Sequence, residues 1–320
     1  MSAPTSPWPF RLALATLVAA VPLVFLGGSV TTLGAGMAID GWLVVDRGRG
    51  DFFMPFYPLE RWLRDTGSFV EHSHRLFGTL VGCLAIATLA SAFLVRAARA
   101  VKLAAAASLL AVVVQGALGG FRVLENSPDL AFVHGAAGQA VFAVLGAVAV
   151  ISSRRFQQAR PETAPAARRA LPVALATTAI VYAQIVLGAW LRHGRNDYVL
   201  LAHLLMVLLV VVAILVLAKT LRAAGEGSAL ARLPRWLFSA LIVQAVLGIV
   251  AFMSVYRFVG PNPTDMRQAL FPTLHVVGGA ALLASTLACV LWSWRVRGAS
   301  GERAVAARED GSKRALGGTA

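Results

Sequence analysis

The run Leu171-Pro-Val-Ala-Leu-Ala-Thr-Thr-Ala-Ile-Val-Tyr-Ala-Gln-Ile-Val-Leu-Gly-Ala-Trp-Leu191 contains no charged residue. At helical rise, about 20 residues cross a hydrocarbon core of about 30 Å. Phe271–Trp292 is a second such run, and the pattern recurs along the 320-residue chain. Hydrophobic residues make up 58% of the chain and charged residues 14%, against roughly a quarter charged in soluble domains. These features predict an all-α polytopic membrane protein with eight transmembrane helices, near 11–33, 72–95, 103–122, 131–152, 170–191, 198–218, 234–256 and 271–293.

Charge placement then sets orientation. With these spans, 19 of the 29 basic residues and five of the 15 acidic ones fall on one side, leaving ten of each on the other. The excess of +14 therefore belongs to one face, the pattern of positive residues retained inside. It predicts a plasma (inner) membrane protein with both termini cytoplasmic, and it removes the reason to invoke nucleic acid. The first apolar run is too long for a signal peptide and lacks a small-residue cleavage pattern, so it is read as a retained span. Cys83 and Cys289 fall inside spans, which excludes a disulfide framework or a CxxC site. The tail from 294 to 320 is rich in Arg, Ala, Gly and Glu and is expected to be disordered.

An internal repeat organises the spans. Gln115-Gly-Ala-Leu-Gly119, Gln184-Ile-Val-Leu-Gly188 and Gln244-Ala-Val-Leu-Gly248 share a QxxLG pattern near the outer ends of spans three, five and seven. Span one carries Phe25-Leu-Gly-Gly28, without the glutamine. Each odd span is followed by an even span bearing a histidine near its start: His74, His134, His203 and His275. The Gln-to-His separation is 19 residues in the second and third units and 31 in the fourth, where Pro261 and Pro263 intervene. The chain thus reads as four helix hairpins forming two pseudo-symmetric four-helix halves, 1–152 and 170–293, joined by a cytoplasmic linker at 153–169. Gly27, Gly28, Gly119, Gly120, Gly188 and Gly248 would let a neighbouring helix or a flat ligand approach closely.

Ionisable residues inside a membrane default to a functional reading, and four histidines at one depth reinforce it. Neutral imidazole ligates zinc, copper and haem iron. Structural zinc would want four ligands on one ion, commonly with thiolates, and both cysteines lie elsewhere. Two inward histidines in a four-helix half suit a haem with imidazole as axial ligand. Arg75, Arg122 and Arg192 could pair with propionates or simply snorkel to the interface. Glu71-His-Ser-His-Arg75 opens span two and places Glu71 on one helical face with His74 and Arg75. That carboxylate could orient a ligand, accept a proton or stabilise a developing cation, or serve only as an acid at a helix N-terminus. His193 is expected at the interface, and His72 facing solvent or packed.

Taken together, Gly27-Gly-Ser-Val-Thr-Thr-Leu-Gly-Ala-Gly-Met37, Glu71-His-Ser-His-Arg75, Gln115-Gly-Ala-Leu-Gly-Gly-Phe-Arg-Val123, His134, Gln184-Ile-Val-Leu-Gly-Ala-Trp-Leu-Arg-His193, His203 and His275 resemble heme A synthase. The resemblance covers about residues 20 to 295. It implies oxidation of a methyl group of heme O to the formyl group of heme A, for terminal oxidases. It implies haem b (iron) held by His203 and His275 in the C-terminal half. It also implies a heme O site at His74 and His134 in the N-terminal half, with Glu71 near the reacting methyl. Heme O synthase and a terminal oxidase are the partners it suggests, beside membrane lipid; the electron donor is not named by it. The outer-loop cysteine pairs of many members are missing here, and the usual Pro-Asp-Trp-Pro stretch is Ile39-Asp-Gly-Trp42.

The main alternative is a haem-binding membrane cytochrome that only transfers electrons. It gives Glu71 no task, and only the first half carries an acid three residues before its first histidine: Leu200 and Pro272 occupy that place before His203 and His275. A transporter would place its site near the midplane, and a prenyl transferase would need an aspartate-rich diphosphate motif.

Overall fold

The computed structural model describes residues 6–162, 165–194, 196–256 and 266–297. Among these described residues, eight helices are long and apolar enough to cross a membrane. Numbering only these, they are α1 Trp8–Thr32, α2 Thr66–Leu94, α3 Arg99–Glu125, α4 Pro128–Ser152, α5 Pro165–Gly194, α6 Asp197–Arg222, α7 Leu233–Tyr256 and α8 Met266–Val296. Six contain their expected span whole, and α1 and α2 stop one residue short of theirs, at Thr32 and Leu94. Most run several residues past the apolar stretch, and α2, α4 and α6 start on a side-chain cap.

Local chemistry fixes the N-terminal starts of α2, α4 and α6. Asp65 caps α2 by accepting from the Ser68 amide at 2.8 Å, and Asn196 caps α6 through the amides of Tyr198 and Val199. Between α3 and α4 only two residues intervene. Asn126 takes the left-handed conformation (φ 46°), then Ser127 caps α4 with Pro128 in its first turn. An αL residue stopping one helix and a Ser-Pro start for the next make a tight hairpin.

Helix neighbours close two rings. The first is α1–α2–α3–α4 and the second α5–α6–α7–α8, joined where α1 and α4 meet α8 and where α4 meets α5. Accordingly half of the apolar window of α4 is buried but only 11% of that of α7. The second ring packs around Val181, Val210, Ile214, Leu217, Leu237 and Leu283. Ala20, Val81, Phe142, Leu145 and Ala280 pack where α8 meets the first ring.

The connection from 33 to 65, read from sequence only as a long loop, is a folded cap. Val44–Val45 pairs antiparallel with Phe52–Phe53, and short helical turns cover Met54–Phe56 and Leu59–Trp62. Ile39, Val45, Met54 and Tyr57 form its small core. Asp46 accepts from Tyr57 (3.0 Å) and Arg61 (2.7 Å).

At the opposite end, the expected linker contains a helical turn at Arg154–Gln158, and α5 already begins at Pro165. Arg295 donates to the carbonyls of Phe156 and Gln157, tying α8 to that turn. Residues 298–320 and the segment with Pro261 and Pro263 lie outside the described residues.

Candidate functional site

His74, His134, His203 and His275 lie six to nine residues inside the same end of α2, α4, α6 and α8. The glycines of the repeat explain how each ring is seated. A Cβ placed on Gly27, Gly119, Gly188 or Gly248 would come within 2.8, 2.8, 3.0 and 2.9 Å of Cε1 of His74, His134, His203 and His275 respectively. So every odd helix offers a bare patch of backbone, and the histidine of its own hairpin lies on it. The close approach expected of these glycines is made by imidazole rings.

One helical turn before each glycine stands the residue that fixes the histidine. In α3, the Gln115 amide donates to the His134 carbonyl at 2.8 Å, and its nitrogen stands 3.1 Å from His134 Nδ1. Gln184 donates to the His203 carbonyl at 2.9 Å, and the nitrogen of Gln244 lies 3.4 Å from His275 Nε2. In α1 the position is Leu23, whose own carbonyl accepts from His74 Nδ1 at 3.1 Å. A carbonyl only accepts, so Nδ1 carries the proton and Nε2 keeps its lone pair, the tautomer that binds a metal through Nε2.

The rings meet in pairs. His74 and His134 have centroids 6.5 Å apart, and so do His203 and His275. With metal–nitrogen bonds of about 2 Å and ring centres roughly 1 Å behind their nitrogens, an ion between two imidazoles would put the centres about 6 Å apart. Both separations would accommodate one ion between the two imidazoles of a pair. No cluster of three or more His, Cys, Asp or Glu able to hold a metal occurs among the described residues, so two-ligand coordination is what these side chains offer. Around the second pair, Nδ1 of His203 and of His275 and Oε1 of Gln184 and of Gln244 are buried without a partner. Buried polar atoms normally find one. At His203 an Nδ1–H donated to the Gln184 oxygen would satisfy both atoms and leave Nε2 free, whereas at His275 the Gln244 nitrogen stands beside Nε2.

Glu71 is 3% exposed and both its oxygens are engaged. Arg75 donates to Oε1 at 2.6 Å and the Ile39 amide to Oε2 at 2.9 Å. Arg75 also donates to the carbonyls of Gly41 (2.8 Å) and Ile39 (3.2 Å). The acid and the arginine together hold the connection between α1 and α2 over α2. Breaking such a buried pair on one side typically costs about 3–5 kcal/mol.

Arg192 reaches from α5 to α1, where its Nη2 donates to the Gly28 carbonyl at 2.5 Å and to the Thr32 hydroxyl. Thr32 in turn meets Thr273 of α8 at 3.5 Å. The guanidinium thereby joins the two rings of helices. Arg122 lies against Gly36 of the cap.

His72 differs from one of its two expected settings. It is 1% exposed and sits between Tyr57 and Trp62, with ring centroids at 5.2 and 5.1 Å, so it belongs to the cap and does not face solvent. His193 lies against Gly135, beside His134, with Nε2 3.4 Å from where a Cβ would be.

Several neighbours were not singled out by sequence: Trp42 as a packed ring, Thr32, Thr273 and the Gly135 seat. A signal existed for two of them. The odd helices α1 and α3 carry glycine doublets, Gly27-Gly28 and Gly119-Gly120, while α5 and α7 carry Gly188-Ala189 and Gly248-Ile249. In each doublet the first glycine seats the histidine. The second seats a group from elsewhere, Thr273 on Gly28 and Trp42 on Gly120.

No curated protein matches the chain. Residues 64–200, from just before α2 to the start of α6, match the model of the COX15-CtaA family, described as cytochrome oxidase assembly protein. That stretch includes Glu71, His74, Arg75, His134 and Arg192; His203 and His275 lie beyond it. The resemblance read from the sequence thus stands, for across residues 64–200 the chain matches the COX15-CtaA family of cytochrome oxidase assembly proteins.

Proposed function

We propose that this protein is an oxidoreductase that converts the methyl group of heme O to the formyl group of heme A. The observation that carries the proposal is the pair of histidine pairs, each with centroids 6.5 Å apart, of which only the first has a buried carboxylate three residues from its histidine. In this reading His203 and His275 hold haem b in the second four-helix half, and His74 and His134 hold heme O as substrate in the first. The histidine end faces outward and the basic end faces the cytoplasm of the plasma membrane, following charge placement. Heme O synthase and the terminal oxidase are the natural neighbours for supply and delivery.

Haem b, when bound, supplies one-electron chemistry between the electron donor and the first site. The chain's own residues do the positioning. Leu23 and Gln115 fix the imidazoles of His74 and His134, and Gln184 and Gln244 reach His203 and His275. Glu71, held at both oxygens, has little freedom to swing toward a proton. A fixed carboxylate suits electrostatic stabilisation of positive charge developing on the substrate. The cap over this end limits water entry, which strengthens that field.

The test is haem extraction and chromatography from membranes of a host that makes heme O but lacks heme A, with and without this chain. Heme A, or its hydroxylated precursor, in the expressing membranes supports the proposal. A second reading is an electron-carrying cytochrome, favoured by the engagement of Glu71 and Arg75 in holding the cap, a task that needs no reaction. Bound haem with only heme B and heme O in the extract, with a donor supplied, would favour it.

A further inference from the structure

Between α5 and α6, toward the end of the bundle away from the histidines, runs an outward-facing groove of about 390 Å³. Its walls are Pro172, Val173, Ala176 and Ile180 from α5 and Leu209, Val212, Ala213 and Val216 from α6. Its floor is Thr177, 2% exposed, whose hydroxyl bonds back to the Val173 carbonyl (2.9 Å) and across to that of Ala213 (3.3 Å). The hydroxyl is therefore satisfied and the lining facing outward is hydrocarbon. Small side chains at 176 and 213 make the depression, and the volume falls at the small end of ligand pockets, about 300–1,000 Å³.

The same helical stripes continue into cations. On α5, Arg168 and Arg169 stand four residues before Pro172 and Val173, one turn further along the same face. On α6, Lys219 stands three residues after Val216. All three are exposed. Of the acids near this end, Glu162 is taken by the Ser228 hydroxyl (2.6 Å) and the Ala229 amide (2.9 Å). An apolar trough for a chain is thus followed, about one turn further along both helices, by three exposed cations toward where a membrane surface would lie.

We propose that this groove binds one anionic glycerophospholipid, with an acyl chain along the trough and the phosphate among Arg168, Arg169 and Lys219. Basic residues flanking a helix seam bind anionic headgroups in this way. An uncharged hydrocarbon would gain nothing from the cations, and a zwitterionic headgroup would gain little.

Native mass spectrometry of the full-length protein, purified in mild detergent and incubated with equal amounts of dioleoyl phosphatidylglycerol and dioleoyl phosphatidylcholine, tests this. The wild type should retain phosphatidylglycerol preferentially. The triple variant Arg168→Gln, Arg169→Gln, Lys219→Gln changes only exposed residues and should retain it at least about tenfold less. Ala213→Trp, which fills the trough, should reduce retention of both lipids. Equal retention of the two lipids by the wild type, or unchanged phosphatidylglycerol retention in the triple variant with its melting temperature preserved, would overturn the proposal. If Ala213→Trp does not fold, the exposed triple variant decides alone.

Discussion

His275 rests on Gly248 so closely that a single added methyl would stand 2.9 Å from its Cε1 carbon. The same fit recurs at Gly188 for His203, and overpacking of this kind costs about 1–3 kcal/mol where the neighbour cannot move. Gly248→Ala and Gly188→Ala should therefore retain haem about ten- to a hundredfold more weakly, read from the absorbance of the purified protein. Gly116→Ala in α3, where nothing lies within 4 Å, should be unchanged, which separates lost seating from a general effect of replacing a helical glycine with alanine.

Loss of a partner at Glu71 should be felt first in the cap. Glu71→Ala strands Arg75 and leaves the Ile39 amide without its acceptor. The expected destabilisation is about 3 kcal/mol, at the low end for a broken buried pair because Arg75 keeps carbonyl partners in the cap. Limited proteolysis between residues 43 and 57 should accelerate in Glu71→Ala and much less in Glu71→Gln. If Glu71→Gln keeps the cap closed but abolishes heme A formation, the carboxylate has a role in the reaction beyond holding the cap.

Arg192 distinguishes a helix tie from a propionate partner. Its Nη2 donates to Gly28 and Thr32 of α1, and hydrogen bonds from a charged group contribute about 1.5–3 kcal/mol each. Arg192→Gln should lower the melting temperature in detergent and loosen haem at both pairs together. Haem loss with an unchanged melting curve would instead assign the guanidinium to the cofactor.

Acid should open the cap through Asp46. Burial pushes its carboxyl upward, but hydrogen bonds from Arg61 and Tyr57 outweigh that and hold it below the ordinary value of 3.8. A depressed carboxyl stabilises the fold above its unfolded pKa and loses that contribution as pH falls through the lower, folded one. Protection of the cap from an acid-active protease should thus be full at neutral pH and fall below about pH 4. Asp46→Asn should remove the pH dependence and leave the cap as open at neutral pH as the wild type is in acid.

The eight spans were legible because membrane crossing is a local property: about 20 apolar residues suffice, whatever surrounds them. The histidines, Glu71 and the QxxLG repeat were legible too, since ionisable residues in apolar runs stand out and a repeat marks equivalent depths. What the repeat meant was not. A glycine one turn after a glutamine can serve helix packing or a ligand equally well, and only the folded chain brings the histidine, 19 or 31 residues after that glutamine, to lie upon the glycine.

Pairing was likewise a tertiary outcome, for the 6.5 Å separations depend on how four helices close into a ring. The cap was hidden for the same reason. Its contacts join Ile39 and Gly41 to Glu71 and Arg75, 32 to 34 residues away, and no periodicity reports a polar pair that satisfies a loop's backbone. Arg192 bonding to Gly28, 164 residues distant, is the extreme case. Sequence determined which residues the membrane would tolerate and at what depth. Tertiary structure decided which buried charges were spent on holding the chain together, because a guanidinium or carboxylate in a low-dielectric interior bonds to whatever partner the fold sets beside it.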